Sequence, residues 1–341
     1  MRKVGNDWVL APTTIVFPQG GIRLAGRFGD GLVIQSRMND LDLSLVNAFV
    51  PGLGLGGRMT GSLDFSQPSG ASFPRADARL TIDDFTRTGV ATLSEAVDIA
   101  FAGQLRPEGG SAGAVIRRNG VIIGRAQARL QPLASGAGSW MTRLLASPLS
   151  GGVRYNGPAD VIWSLTGIAD QQVSGPIGIA ADFSGRVQRP QFTGVVRAND
   201  LTFVDETYGT RITNLALQGR FTDSRFEITQ LTGRAGRGTV TGRGTVDLSS
   251  AAGFPIDVRL VFDRAQLARS DSIGATVTGE VAITNGPNQP ALISGELQLP
   301  QVRYQIIRQG AAQIAELEGV RRKGEPLRRP DEVNRRASAP S

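Results

Sequence analysis

The side chains that usually carry chemistry are nearly all missing from this chain. It contains no cysteine and no histidine, which removes thiol nucleophiles, imidazole bases, disulfides and Cys/His zinc sites together. Lysine occurs only at Lys3 and Lys323, near the two ends, so the body holds neither a Ser–Lys dyad nor a Schiff-base lysine. Adjacent carboxylates stand at Asp83-Asp84 and Asp205-Glu206. Such pairs can ligate calcium or divide acid and base work, but both lie beside apolar strand residues, where surface turns are expected. Gly52-Leu53-Gly54-Leu55-Gly56-Gly57 satisfies G-x-G-x-x-G. That fingerprint binds dinucleotides only between a strand and a following helix; here the order is reversed, and the segment reads as a connector. Arg234-Ala235-Gly236-Arg237-Gly238 has the composition of an RGG tract, yet it runs into an alternating strand, where arginine decorates the wet face. The reading predicts no enzyme, no metal, no cofactor and no nucleic-acid partner.

What remains to explain function is the pattern of the elements themselves. Ile256, Val258, Leu260 and Phe262 alternate with Asp257, Arg259 and Asp263, the period-2 signature of a strand with one dry and one wet face. Ala275, Val277, Gly279, Val281 and Ile283 oppose Thr276, Thr278, Glu280 and Thr284 in the same way. Similar segments run over 22–28, 59–65, 99–105, 177–187, 215–221, 240–248 and 293–299, separated by turns such as Asn119-Gly120 and Asn285-Gly286-Pro287. Alternation this regular predicts antiparallel strands wetted on one side. Three short helices are expected, over 41–49, 140–145 and 311–320.

Glycine is abundant, at 44 residues, and it recurs on the apolar face with apolar residues two positions away. The series comprises Gly26, Gly61, Gly103, Gly185, Gly219, Gly242, Gly279 and Gly295. Missing side chains on the inner side of a sheet let it bend sharply, whereas a sandwich core would be weakened by each hole. The expected fold is all-β: an elongated, strongly curved antiparallel groove with a few short helices. Loose repeats support stacked units: Thr60-Gly61-Ser62-Leu63, Ser184-Gly185-Arg186-Val187 and Thr278-Gly279-Glu280-Val281 are each followed by a proline, Pro74, Pro190 or Pro290. About 25 strands at ~4.8 Å spacing would span ~120 Å.

The formal charge is +7, but seven basic and three acidic residues after position 320 supply +4 of it. The body is close to balanced, and the tail reads as a solvated basic linker. No stretch reaches the ~18 apolar residues of a spanning helix, and the first residues lack a signal-peptide apolar region. The expected organisation is a first groove segment over 1–135, a helical and loop insertion with connecting strands over 136–175, and a second groove segment over 176–307. A short helix and basic linker follow over 308–341.

Several stretches resemble the periplasmic body of the TamB family. They include 24–31 (Leu-Ala-Gly-Arg-Phe-Gly-Asp-Gly), 41–47 (Leu-Asp-Leu-Ser-Leu-Val-Asn), 208–212, 253–258, 263–271 (Asp-Arg-Ala-Gln-Leu-Ala-Arg-Ser-Asp) and 321–326. The resemblance implies a taco-like β-groove between two membranes and an Omp85-type outer-membrane barrel as partner. It also implies roles in outer-membrane protein assembly, secretion and, through AsmA-like relatives, phospholipid transport. Two family features are not recognised, the N-terminal membrane helix and the C-terminal domain that engages the barrel. The chain is therefore expected to be a partial one, periplasmic within an inner-membrane-anchored protein. The groove is expected to hold phospholipid acyl chains. Val240, Val246, Leu248, Ile256 and Val258 are candidate lining residues, as are Leu260, Phe262, Val277, Val281 and Ile283. The alternative is a β-template that pairs with outer-membrane protein strands by augmentation.

Overall fold

Alternation becomes strand along most of the chain. The computed structural model describes residues 1–47, 54–70, 73–88, 94–131, 139–164, 170–248, 253–269 and 273–304. The first half holds β1 (Arg2–Val4), β2 (Asp7–Phe17), β3 (Gly20–Gly29), β4 (Gly31–Asp42), α1 (Ser44–Asn47), β5 (Leu55–Pro68), β6 (Arg75–Arg87), β7 (Val97–Arg106), β8 (Gly109–Arg118) and β9 (Val121–Leu130). In the middle stand α2 (Trp140–Ala146), β10 (Leu149–Pro158), α3 (Ala159–Ser164) and β11 (Gln171–Ser174). The second half holds β12 (Pro176–Arg186), β13 (Arg189–Asp205), β14 (Thr210–Asp223), β15 (Arg225–Ala235), β16 (Gly238–Asp247), β17 (Ile256–Arg269), β18 (Ile273–Thr284) and β19 (Leu292–Tyr304).

The ladder is a meander in which each strand pairs antiparallel with the next, through β9–β10 and β10–β12 to β18–β19. β11 lies end to end with β12, since both pair with β13. Among the described residues the sheet is therefore one open antiparallel sheet of nineteen strands, with β1 and β19 at its edges. The expected 25 strands are too many for these residues, because most strands run ten residues or more and consume the chain faster. The wet face is laced by cross-strand ion pairs, such as Arg37–Asp64 at 2.8 Å and Arg106–Asp77 at 2.7 Å.

Bends come from bulges as much as from glycine. Register shifts fall between Met38 and Leu41, Ile82 and Phe85, and Phe262 and Ala265. At each shift a non-glycine residue takes positive φ: Asp40 at 52°, Asp84 at 52° and Arg264 at 46°. An extra residue of this kind bends the strand and sharpens its twist. The neighbouring strand accepts the freed backbone N–H on a side-chain oxygen: Thr60 Oγ1 for Asp40 at 3.1 Å, Asp98 Oδ1 for Asp84 at 3.1 Å, and Thr278 Oγ1 for Arg264 at 3.0 Å. Asp83-Asp84 is thus a bulge inside β6, not a surface turn.

The helices also differ from expectation. Leu41 and Asp42 end β4, and the first helix is only Ser44–Asn47; residues 48 and 49 lie outside the described residues. The second is present as α2. The helix over 311–320 lies outside the described residues. No helix follows the glycine-rich segment: Leu55, Gly56 and Gly57 open β5, while Gly52 and Leu53 lie outside the described residues.

α2 reports how far the sheet curls. Trp140 packs on Phe65 of β5 and on Phe73, with ring centroids 6.4 and 6.2 Å apart. At its other end, the carbonyls of Leu145 and Ser147 accept from Gln188 and Val187 at the β12–β13 turn. A helix of seven residues is only about 10 Å long. The strands it joins are six ladder steps apart, or about 29 Å along a flat sheet. Only a curled sheet brings both to one helix.

Candidate functional site

Cross-strand register carries one apolar face through the whole sheet. In the first half Ile22, Met38, Gly61, Leu80, Phe101 and Ala114 follow one another across β3 to β8. In the second half Val196, Gly219, Ile228, Gly244, Val258, Ile283 and Ile293 do so from β13 to β19. Both runs are composed of inward positions of successive strands, so the apolar strip is continuous in the direction in which strands stack.

Exposure varies along the strands. At one end the strip is sealed. Ala235 and Ala265 are 0 % exposed, and with Val240 (2 %) and Phe262 (7 %) they form a packed cluster flanked by Ile212, Leu260, Leu267 and Val281. The seal forms because the β15–β16 hairpin is shorter than its neighbours. β14 and β17 overhang its tip and bond directly, Thr210 Oγ1 to the Leu267 carbonyl and Arg269 N to the Tyr208 carbonyl.

α3 seals the middle of the sheet. Val161 is buried against Val97 and Tyr155, while Ala159 packs with Ala198 and Leu201. The Tyr155 hydroxyl donates to the Pro158 carbonyl at 2.7 Å, fixing the last residue of β10 where the chain turns into α3. Burial, with the Asp160 carboxylate adding, pushes this phenol well above its ordinary value of 10, so it remains a donor. Tyr155→Phe is expected to destabilise the fold by about 1–3 kcal/mol, leaving the carbonyl without its donor, as measured by urea unfolding.

Elsewhere the strip is open. Of the candidate lining residues, Val240, Phe262 and Val277 are buried. Val246, Leu248, Ile256, Val258, Leu260, Val281 and Ile283 are half-buried. Leu248 stands just past the end of β16, its N–H bonded to the Ser224 carbonyl at 2.6 Å. All eight candidate curvature glycines lie in strands opposite inward positions. A Cβ on Gly242 would come 2.7 Å from Leu260 Cδ2, and one on Gly103 would come 3.0 Å from the Phe101 ring.

Two features of this face escaped sequence reasoning. An apolar depression of about 270 Å³ opens over β6 to β10, lined by Ala76, Ala78, Phe101, Gly103, Leu105, Ala112, Ala128, Leu130 and Leu149. Paired alanines such as Ala76/Ala78 and Ala126/Ala128 were its only signal. Four phenylalanines also form a ladder from β12 to β15, with Phe183–Phe192 and Phe192–Phe221 at 6.3 Å and Phe221–Phe226 at 4.9 Å. Contacts at these separations add about 0.5–1.5 kcal/mol each beyond area burial. The side chains converging on this face are apolar; among the described residues no cluster of Asp and Glu could hold a metal ion.

The arrangement can shelter hydrocarbon. Residues 229–341 match the family model described as the TamB C-terminal domain. The match covers about a third of the chain. No curated protein and no solved structure matches it. The TamB match begins in β15 and takes in the sealed cluster, β17, β18 and the edge strand β19. It corrects the expectation that the C-terminal domain lies outside this chain, which rested on short motifs too unspecific to mark a domain. No helix of the described residues is long and apolar enough to cross a membrane.

Proposed function

We propose that this TamB-like chain is a non-catalytic periplasmic conduit that carries phospholipid acyl chains along its apolar face in support of outer-membrane biogenesis. The observation that carries this reading is a continuous strip whose side chains stay half-buried over much of its length. Each CH₂ exposed to water costs about 0.8 kcal/mol; an aliphatic strip removes that barrier while the headgroup stays in solvent. On this reading residues 1–135 and 176–307 are two groove segments joined through 136–175. The candidate glycines keep the strip free of obstructing side chains.

Val258→Arg combined with Ile283→Arg tests the conduit, because these residues face each other across β17 and β18 away from the sealed cluster. The double variant is expected to keep its β-sheet circular dichroism and to lose phospholipid seen by native mass spectrometry of the gently extracted protein. A folded variant that still carries lipid would refute the conduit.

A second reading is favoured by β19. Among the described residues its outer edge has no partner strand, and Leu292, Ile293, Leu299 and Val302 are 53–69 % exposed. Such an edge can template another strand, including one from an Omp85-type barrel. Photocrosslinkers at Ile293 and Leu299 that capture outer-membrane strands, with none captured at Val258, would select this reading.

A further inference from the structure

The wet face opposite the groove also holds a depression, of about 940 Å³, spanning β5 to β12. Its floor is unusually bare for outward strand positions: Ala100, Ala102, Gly113 and Gly152. Around the floor stand Arg79, Arg125 and Arg154 with one carboxylate, Asp182. Asp182 is already engaged, taking Arg154 in a two-pronged pair at 2.8 and 2.9 Å. Arg154 also donates to the Ala181 carbonyl at 2.8 Å, so its guanidinium is fixed.

Arg125 lies directly opposite Arg154 in the β9–β10 register. Like charges so placed destabilise a sheet, and among the described residues no carboxylate pairs with Arg125. Arg79 makes no ion pair among the described residues either: the nearby Asp77 is held by Arg106 at 2.7 and 2.8 Å and feels Arg79 only as a more distant charge. β6 and β9 are three ladder steps apart, about 14 Å, so two arginine side chains can reach one group lying between them. The hydroxyls of Thr60 and Thr81 and the Gln127 amide complete the rim.

A second wet-face depression, over β15 to β17, provides a contrast. Arg243 and Arg259 also oppose each other there, but two carboxylates line the same space, Asp257 and Glu227, the latter bonded to Arg220 at 2.7 Å. Of these two depressions, the one over β5 to β12 keeps the excess of cations, over a floor that leaves room.

We propose that this depression is an anion site for a phosphate group, clamped between Arg79 and Arg125 beside the Arg154–Asp182 pair. Arginine suits it because its planar fork meets phosphate oxygens in pairs. The site is separate from the groove and does not depend on lipid running there. The phosphate can come from free inorganic phosphate or from a phospholipid headgroup.

The test uses the purified full chain in chloride buffers of matched ionic strength. Inorganic phosphate is expected to raise the melting temperature, and titration calorimetry is expected to show binding weakened about tenfold or more in Arg125→Gln and in Arg79→Gln, each losing a charge-assisted contact. Arg197→Gln, on the same face outside the depression, is expected to bind as the parent does. Without phosphate, Arg125→Gln is expected to melt higher than the parent, since the repulsion with Arg154 is gone. Dihexanoyl phosphatidic acid below its micelle threshold distinguishes the sources. Arg125-dependent binding tighter than phosphate assigns a lipid headgroup; equal or weaker binding assigns the free ion. A phosphate shift no larger than that of chloride, equal in all three variants, or an Arg125→Gln protein that melts lower, overturns the site.

Discussion

Phe262→Ala is expected to lower the unfolding free energy by about 3–5 kcal/mol, whereas Val258→Ala, on the same strand and face, is expected to cost about 1 kcal/mol. The residues differ in what covers them. Phe262 is 7 % exposed and packed beside Ala235, Val240 and Ala265, where β14 and β17 close over the hairpin tip, so removing its ring leaves a cavity that the bonded strand ends hold open. Val258 is half-buried and already faces water, so truncating it leaves no void. Amide exchange across β16 to β18 separates the two local stabilities without requiring the whole sheet to unfold as one unit. Equal costs at both positions would mean the strip is sealed along its full width, and the conduit would have no opening.

Much of this architecture was legible because period 2 is unambiguous when the faces differ. Ile256 to Phe262 alternates with Asp257, Arg259 and Val261, and every odd position there lies outward in the ladder. Bulges break that parity. Arg264 inserts a residue, so Ala265 joins Phe262 on the inner face despite being three positions on. Alternation therefore stops at Phe262, and the sealing residues Ala265 and Leu267 go unseen. The same parity break at Asp40 made Leu41, Leu45 and Val46 look helical, although Leu41 ends a strand opposite Met59. Asp40 and Asp84 offer a weak cue, since aspartate tolerates positive φ; Arg264 offers none. The alanine-lined depression was hidden for another reason: alanine contributes little to a hydrophobic pattern, yet small side chains are what leave the space.

The edge strand provides the second large effect. Gly279→Val is expected to remove about 3 kcal/mol or more locally and to release β19 while the Phe262 cluster stays folded. Gly279 holds φ at 143°, a conformation that strains a β-branched residue by about 1–3 kcal/mol. A Cβ there would collide with the Glu296 carbonyl oxygen and lie 3.1 Å from Leu297 Cα, so overpacking adds about 1–3 kcal/mol more. The collision is with backbone, which no rotamer change relieves. Gly295 meets the Glu280 carbonyl in the same way on the facing strand, so β18 and β19 approach through a reciprocal glycine pair. β19 has no neighbour beyond it among the described residues and depends on β18 alone. Its amides, from Leu292 to Tyr304, should therefore exchange freely in the variant while those of β16 and β17 remain protected. Loss of protection throughout the sheet would instead show that the ladder stands or falls as one cooperative unit, and that the edge cannot be opened separately for a partner strand.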